Sequence, residues 1–177
     1  DGCLYHGVAG LEFAERLVAG GARVAVPTTL NVGALDLLHP DRYRGDPGVA
    51  ANGRRQMDAY VAMGCRPTWT CAPYQLPERP AFGQHVAWAE SNAIVFCNSV
   101  IGARTDRYGD FIDICAGLTG RVPFAGLHRD EARRAGLAVT LERISERLLA
   151  SDALYPVLGD VLGRDAGLSH RLACGDC

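Results

Sequence analysis

The side chains best suited to chemistry in this chain gather between Trp88 and Arg107, in the run WAESNAIVFCNSVIGARTDR. An apolar centre, Ala93 to Phe96, is bracketed by Glu90, Ser91 and Asn92 before it and by Asn98 and Ser99 after it. Gly102 and two arginines three apart, Arg104 and Arg107, follow. A guanidinium grips a carboxylate with two parallel hydrogen bonds, so the run reads as a buried segment that delivers amides, hydroxyls and Arg104 and Arg107 to a small anion. The plainer alternative is a strand, a turn and a solvated arginine pair. Cys71, in Thr70-Cys71-Ala72-Pro73-Tyr74, is the thiol best placed to serve as a thiolate ligand, although such a cysteine is more often buried packing. His6 stands beside Gly7, where backbone can approach a ligand closely; a satisfied turn histidine is its ordinary role.

These residues need elements to hold them. Val8, Leu11, Ala14, Leu17 and Val18 share a helical face, stopped by Gly20-Gly21. Arg23 to Val26 reads as a short strand, and ligands in α/β sheets sit beyond the carboxyl ends of strands. Thr28, Thr29 and Asn31 fall at that place and are candidate substrate contacts, with Ser91 and Asn92. A second helix is expected over 49–63, with Met57, Tyr60 and Val61 inward and Gly64 closing it, and a second strand over 67–70. Asp110 to Leu118 reads as a short helix whose packing face includes Cys115. Leu137 to Leu141 reads as a strand. Ser145 to Leu162 returns to helix, with Leu148, Leu149, Leu154, Leu158 and Leu162 buried and Pro156 bending or breaking it. Helix, glycine turn and strand in alternation predict an α/β fold: a layered domain with a mixed or parallel sheet and flanking helices.

Composition narrows the function. The 177 residues suffice for one substantial core, so one domain is expected. The formal net charge of −2 argues against a nucleic-acid partner, and no apolar run is long enough to span a membrane. Every basic residue is arginine. Seven cysteines at irregular spacing do not resemble a secreted disulfide framework, so reduced thiols and a cytoplasmic location are expected. The terminal Cys174-Gly-Asp-Cys177 is a CxxC without the helix that redox motifs place after it. No Walker loop, dinucleotide fingerprint, HExxH or GxSxG is present.

Taken together, ESNAIVFCNSVIGARTDR, YGDFIDICAGLTGRVP and GLH, with YHGVAGLEFAERL, VAVPTTLNVGALDL and TCAPYQLPERPAFGQHVAWAE upstream, resemble the aconitase X family in the same order over nearly the whole chain. Two positions depart from the family pattern: Asp106 where asparagine is usual, and Cys97 where alanine is common. The resemblance implies an aconitase-like layered domain, with residues 1–177 forming an internal part of the large catalytic polypeptide and sequence missing on both sides. It implies a hydro-lyase that uses iron or an iron–sulfur cluster as a Lewis acid, with Cys71 as one metal ligand and further cysteines supplied elsewhere. It also implies a small swivelling domain or subunit as partner, carrying a serine base.

Two activities follow from the resemblance: dehydration of cis-3-hydroxy-L-proline to pyrroline-2-carboxylate and, as the alternative, dehydration of mevalonate 5-phosphate. The run RYGDFIDICAGLTGR resembles the bacterial, hydroxyproline-type members, so that substrate is expected. Asn98 and Ser99 would orient the departing hydroxyl, with His6 as a further catalytic candidate, and Arg104 and Arg107 would hold the carboxylate. A different class stays open: a substrate-binding or structural portion, inert without its partner domain. A cysteine-nucleophile enzyme using Cys71 or Cys97 with His85 is the third reading, which alkylation in the presence and absence of metal would distinguish.

Overall fold

The computed structural model describes residues 2–136 and 138–166. The chain divides into two compact units, 1–128 and 129–177. The terminal CxxC and Leu137 lie outside the described residues.

In the first unit, α1 (Val8–Ala19) and α2 (Pro47–Ala62) pack against each other. Asp46 starts α2 by accepting from the amides of Gly48 and Val49 at 2.6 and 3.1 Å, and Pro47 fits the first turn, where an amide would be unpaired anyway. The core joins Ala14 of α1 and Met57, Ala59 and Tyr60 of α2 to Cys3, Leu30, Met63, Cys65 and Ile114. Val61, expected on the inner face, is exposed, because Met57 and Tyr60 already occupy the narrow stripe that α1 covers. Gly33 lies directly under Met57, where any Cβ would overlap the thioether. Two further helices follow: α3 (Ser91–Phe96), continued by a π-helical turn over Cys97–Ile101, and α4 (Asp110–Thr119), closed by Gly120 in the left-handed conformation.

The expected sheet is absent among the described residues. The segments read as strands are extended but meet only in two isolated parallel bridges, Thr29 with Arg66 and His85 with Arg104. Leu30 donates to the Arg66 carbonyl at 2.9 Å and Arg66 to that of Thr28 at 2.8 Å. Pro27 and Pro67, which bracket this bridge, have no amide to extend it, so the ladder stops after one step. The centre of the 88–107 run, for which a strand was the plain alternative, is helical, with Ala93, Ile94 and Cys97 inward and Val95 outward. Cys115, assigned to the packing face of α4, is exposed.

In the second unit, residues 138–141 form no strand, and the long expected helix is two: α5 (Glu146–Leu149) and α6 (Leu154–Ala166). Ser145 caps α5, and Pro156 sits in the first turn of α6, where proline is tolerated. Leu148 and Leu149 are exposed rather than buried, because α5 is a single turn and presents no face long enough to build a core. Among the described residues no helix is long and apolar enough to cross a membrane.

Candidate active site

Three segments distant in sequence converge on one residue, Asn31, two of them on its side chain. Leu30 is buried and tied to the Arg66 bridge, which fixes the backbone immediately before it. The Asn31 carboxamide oxygen accepts from the Val32 amide at 2.6 Å and from the Cys71 thiol at 2.9 Å. Its nitrogen donates to Glu90 Oε2 at 2.6 Å, and its backbone carbonyl accepts from the Cys3 thiol at 3.0 Å. The amide thus fixes a thiol and a carboxylate side by side.

Each partner has its own support. Cys71 follows Trp69, a non-glycine residue at φ 47°, a conformation that turns the chain sharply ahead of the thiol. Its carbonyl accepts from Asn92 Nδ2 at 2.9 Å, and the same nitrogen donates to the Tyr74 hydroxyl at 3.2 Å. Tyr74 stacks on Phe96 of α3, with ring centroids 4.2 Å apart. Glu90 precedes α3 in extended backbone and does not cap it, which leaves its carboxylate for Asn31. Burial first, then the neighbouring Glu90 carboxylate, raises the Cys71 thiol above its ordinary pKa, against the opposing amides of Val32 and Asn31. Beside this group opens a shallow recess lined by Gly2, Thr29, Asn31, Thr70, Pro73, Trp88, Glu90 and Ala93.

Of the residues singled out from sequence, the recess gathers Thr29 and Asn31, with Cys71 and Asn92 bonded to its wall. Thr28 is buried elsewhere: its hydroxyl donates to the Val26 carbonyl and packs against Gly117 of α4. His6 and Ser91 are exposed, and Ser99 lies half-buried in the π turn.

Asn98 and Arg104 belong to a second constellation. Asn98 Nδ2 donates to the carbonyls of Ile94 and Thr105, both at 2.9 Å, and its oxygen accepts from the Thr105 amide at 3.3 Å. The Thr105 hydroxyl accepts from the Trp88 amide at 3.0 Å. Arg104 Nη1 donates to the His128 carbonyl at 2.9 Å, while Arg107 is exposed. His128 is fully buried, stacks on His85 with the two Nδ1 atoms 2.8 Å apart, and stacks on Tyr108. Burial, with Asp106 nearby, pushes the Tyr108 hydroxyl up to about 12. Asp106 itself accepts from the Arg107 amide at 3.0 Å and leaves no room for a Cβ at Gly126.

Sequence reasoning gave no role to Glu90, Trp88 or His128, and read His85 only as the partner of a cysteine nucleophile, whereas it pairs with His128. Glu90 opens the polar flank of α3, and its position ahead of the first turn was the available signal.

Among the described residues no group of three or more His, Cys, Asp or Glu side chains converges closely enough to hold a metal ion. The donor set still fits one corner of an iron site. Cys71 is a partly accessible thiol held in a fixed rotamer by Asn31, whereas Cys3, Cys65 and Cys97 are buried.

The family described as "Aconitase X first domain" matches residues 1–131. The cis-3-hydroxy-L-proline dehydratase of Hypocrea jecorina is 48% identical over 168 residues, covering 94% of this chain and 28% of that protein. The phosphomevalonate dehydratase large subunit of Methanothermobacter thermautotrophicus is 43% identical over 161 residues, covering 91% of this chain and 39% of that subunit. The crystal structure of Thermococcus kodakaraensis aconitase X in its holo-form superposes with a TM-score of 0.63 at 40% identity, over 73% of this chain and 31% of that one. The chain therefore spans well under half the length of these relatives, and its fold is aconitase X-like.

Proposed function

The chain belongs to the aconitase X family, and on that premise we propose that it forms part of the large catalytic polypeptide of a cytoplasmic hydro-lyase that converts cis-3-hydroxy-L-proline to pyrroline-2-carboxylate. The observation that carries this reading is the Cys71–Asn31–Glu90 group beside a shallow polar recess. The 48% identity to a cis-3-hydroxy-L-proline dehydratase supports the substrate.

The reaction removes the α-proton and the 3-hydroxyl as water and leaves a double bond between the two carbons. The resulting enamine shifts a proton to carbon and becomes the cyclic imine. Hydroxide is a poor leaving group, and iron or an iron–sulfur group held through Cys71 would supply the Lewis acidity that makes it leave. Asn31 positions the Cys71 thiol through a hydrogen bond that the thiol would give up on deprotonating to bind metal, and Asn92, itself bonded to Tyr74, holds the Cys71 carbonyl. Thr29 and Thr70 offer hydroxyls to the polar edge of the substrate. Ala93, Pro73 and Trp88 give the recess an apolar side. Arg107, exposed next to the constellation that Arg104 braces, would offer a guanidinium to the substrate carboxylate. A smaller swivelling domain or subunit would close over the recess and bring the base.

The test uses the complete, iron-loaded enzyme containing this chain, assayed in parallel on cis-3-hydroxy-L-proline, its trans isomer and mevalonate 5-phosphate. Turnover of the cis isomer is expected. Turnover of the phosphorylated compound alone would overturn the substrate, and turnover of none would overturn the dehydratase reading and favour an inert scaffold.

A further inference from the structure

Among the described residues that line the recess, Glu90 is the only charged one. No arginine or histidine lines it, although arginine is the commonest charged residue of the chain. A carboxylate in a half-enclosed recess, without a basic neighbour, lowers its free energy by taking a cation from solution. The walls suit an organic cation. Trp88 presents an aromatic surface of the kind that attracts ammonium groups, and Thr29 and Thr70 offer oxygen acceptors for N–H donors. Asn31 holds Glu90 Oε2 at 2.6 Å and so orients the carboxylate without neutralising it.

We infer that Glu90 is the receptor for the ring ammonium of an amino-acid substrate. The inference rests on the dehydratase reading above and extends it to the recognition of nitrogen. A protonated ring nitrogen carries two N–H donors and one positive charge, which match a carboxylate and a threonine hydroxyl. Mevalonate 5-phosphate carries no cation, and its phosphate would meet the Glu90 charge with repulsion.

The experiment compares two ligands of one shape in the complete, iron-loaded enzyme. L-Proline has the ring ammonium; (S)-tetrahydrofuran-2-carboxylate has an ether oxygen in its place. Titration calorimetry at neutral pH should give the wild type a preference for proline of about ten- to a hundredfold, the range of one charge-assisted hydrogen bond. Glu90→Gln keeps an acceptor for Asn31 and removes the charge. It should erase the preference by weakening proline alone, with iron content and visible absorption unchanged.

A wild type without preference overturns the inference, and needs no variant. So does a Glu90→Gln enzyme that keeps the preference, or one that loses iron in proportion to binding, which would make Glu90 a metal donor. If Glu90→Gln does not fold, Glu90→Asp, which keeps the charge but shortens its reach, should lower the preference partway. An undiminished preference in that variant also overturns the inference. Turnover separates the two claims. Preference for proline without turnover of cis-3-hydroxy-L-proline defeats the proposed reaction and leaves the ammonium subsite standing; turnover without preference does the reverse.

Discussion

The two polar constellations of the first unit use similar residues in opposite ways. Around Asn31, one amide binds two other side chains, the Cys71 thiol and the Glu90 carboxylate, and Asn31 and Glu90 line an open recess. Around Thr105, the Asn98 amide, the threonine hydroxyl and the Arg104 guanidinium bond to backbone: the carbonyls of Ile94, Thr105 and His128 and the amides of Trp88 and Thr105. Backbone groups are obligatory partners, so the second set holds the chain in shape after the π turn. The first set joins reactive groups that could each bond elsewhere. An asparagine bonded to side chains points to chemistry; the same residue bonded to main chain points to architecture.

The sharpest way to break this contrast is Cys71→Ser in the complete enzyme. Visible iron–sulfur absorption and activity should disappear together while the circular dichroism spectrum persists. A variant that retains both would move Cys71 out of the site.

Asn98→Ala should act on stability instead. It strands buried backbone groups of Thr105 and Ile94, at a cost of about 1–3 kcal/mol in denaturant unfolding, with turnover per folded molecule preserved. Loss of turnover at unchanged stability would return Asn98 to the catalytic role that its sequence position suggested.

The arginines divide along the same line. Arg104→Lys loses the bond to the His128 carbonyl and should lower the unfolding midpoint, by about 1 kcal/mol in stability. Arg107→Lys keeps the charge but loses the planar fork, and should raise KM about tenfold without changing stability. The reverse assignment of effects in kinetics and thermal melts would dissolve the distinction.

The smallest effect concerns Tyr108, whose hydroxyl is buried without a hydrogen-bond partner. Its pKa of about 12 in the folded chain lies above the ordinary tyrosine value near 10. The folded state therefore holds this proton longer than the unfolded state, so the stabilising contribution is complete below the unfolded value and is lost as pH rises through the folded one. Tyr108→Phe should be neutral or slightly stabilising at neutral pH and should flatten the alkaline decline of stability followed by denaturant titration.

The sequence made some of this legible and hid the rest for physical reasons. α1, α2 and α4 follow from periodicity, with Gly20-Gly21 and Gly64 marking the ends of the first two; the Asp46 and Gly120 caps came with the structure. The extended runs near Thr29 and Arg66 were visible too, but a sheet depends on partners that single segments do not specify, and Pro27 and Pro67 deny it donors. Leu148 and Leu149 keep helical spacing yet remain exposed, since periodicity reports a face and not what covers it. Cys71 stood out because a rigid turn follows it. Glu90 did not, because its meaning comes from Asn31, far away in the chain.

The lone bridge between Thr29 and Arg66 also sets an order of events. Its two hydrogen bonds close a loop that contains all of α2, so chain entropy opposes them until that helix has formed and docked on α1. Asn31 and Cys71 lie just beyond the two sides of that bridge. A nascent chain can therefore have α1 and α2 before thiol and amide meet. Until that closure, a metal or oxidant that captured Cys71 would find it without Asn31, the neighbour that defines its chemistry.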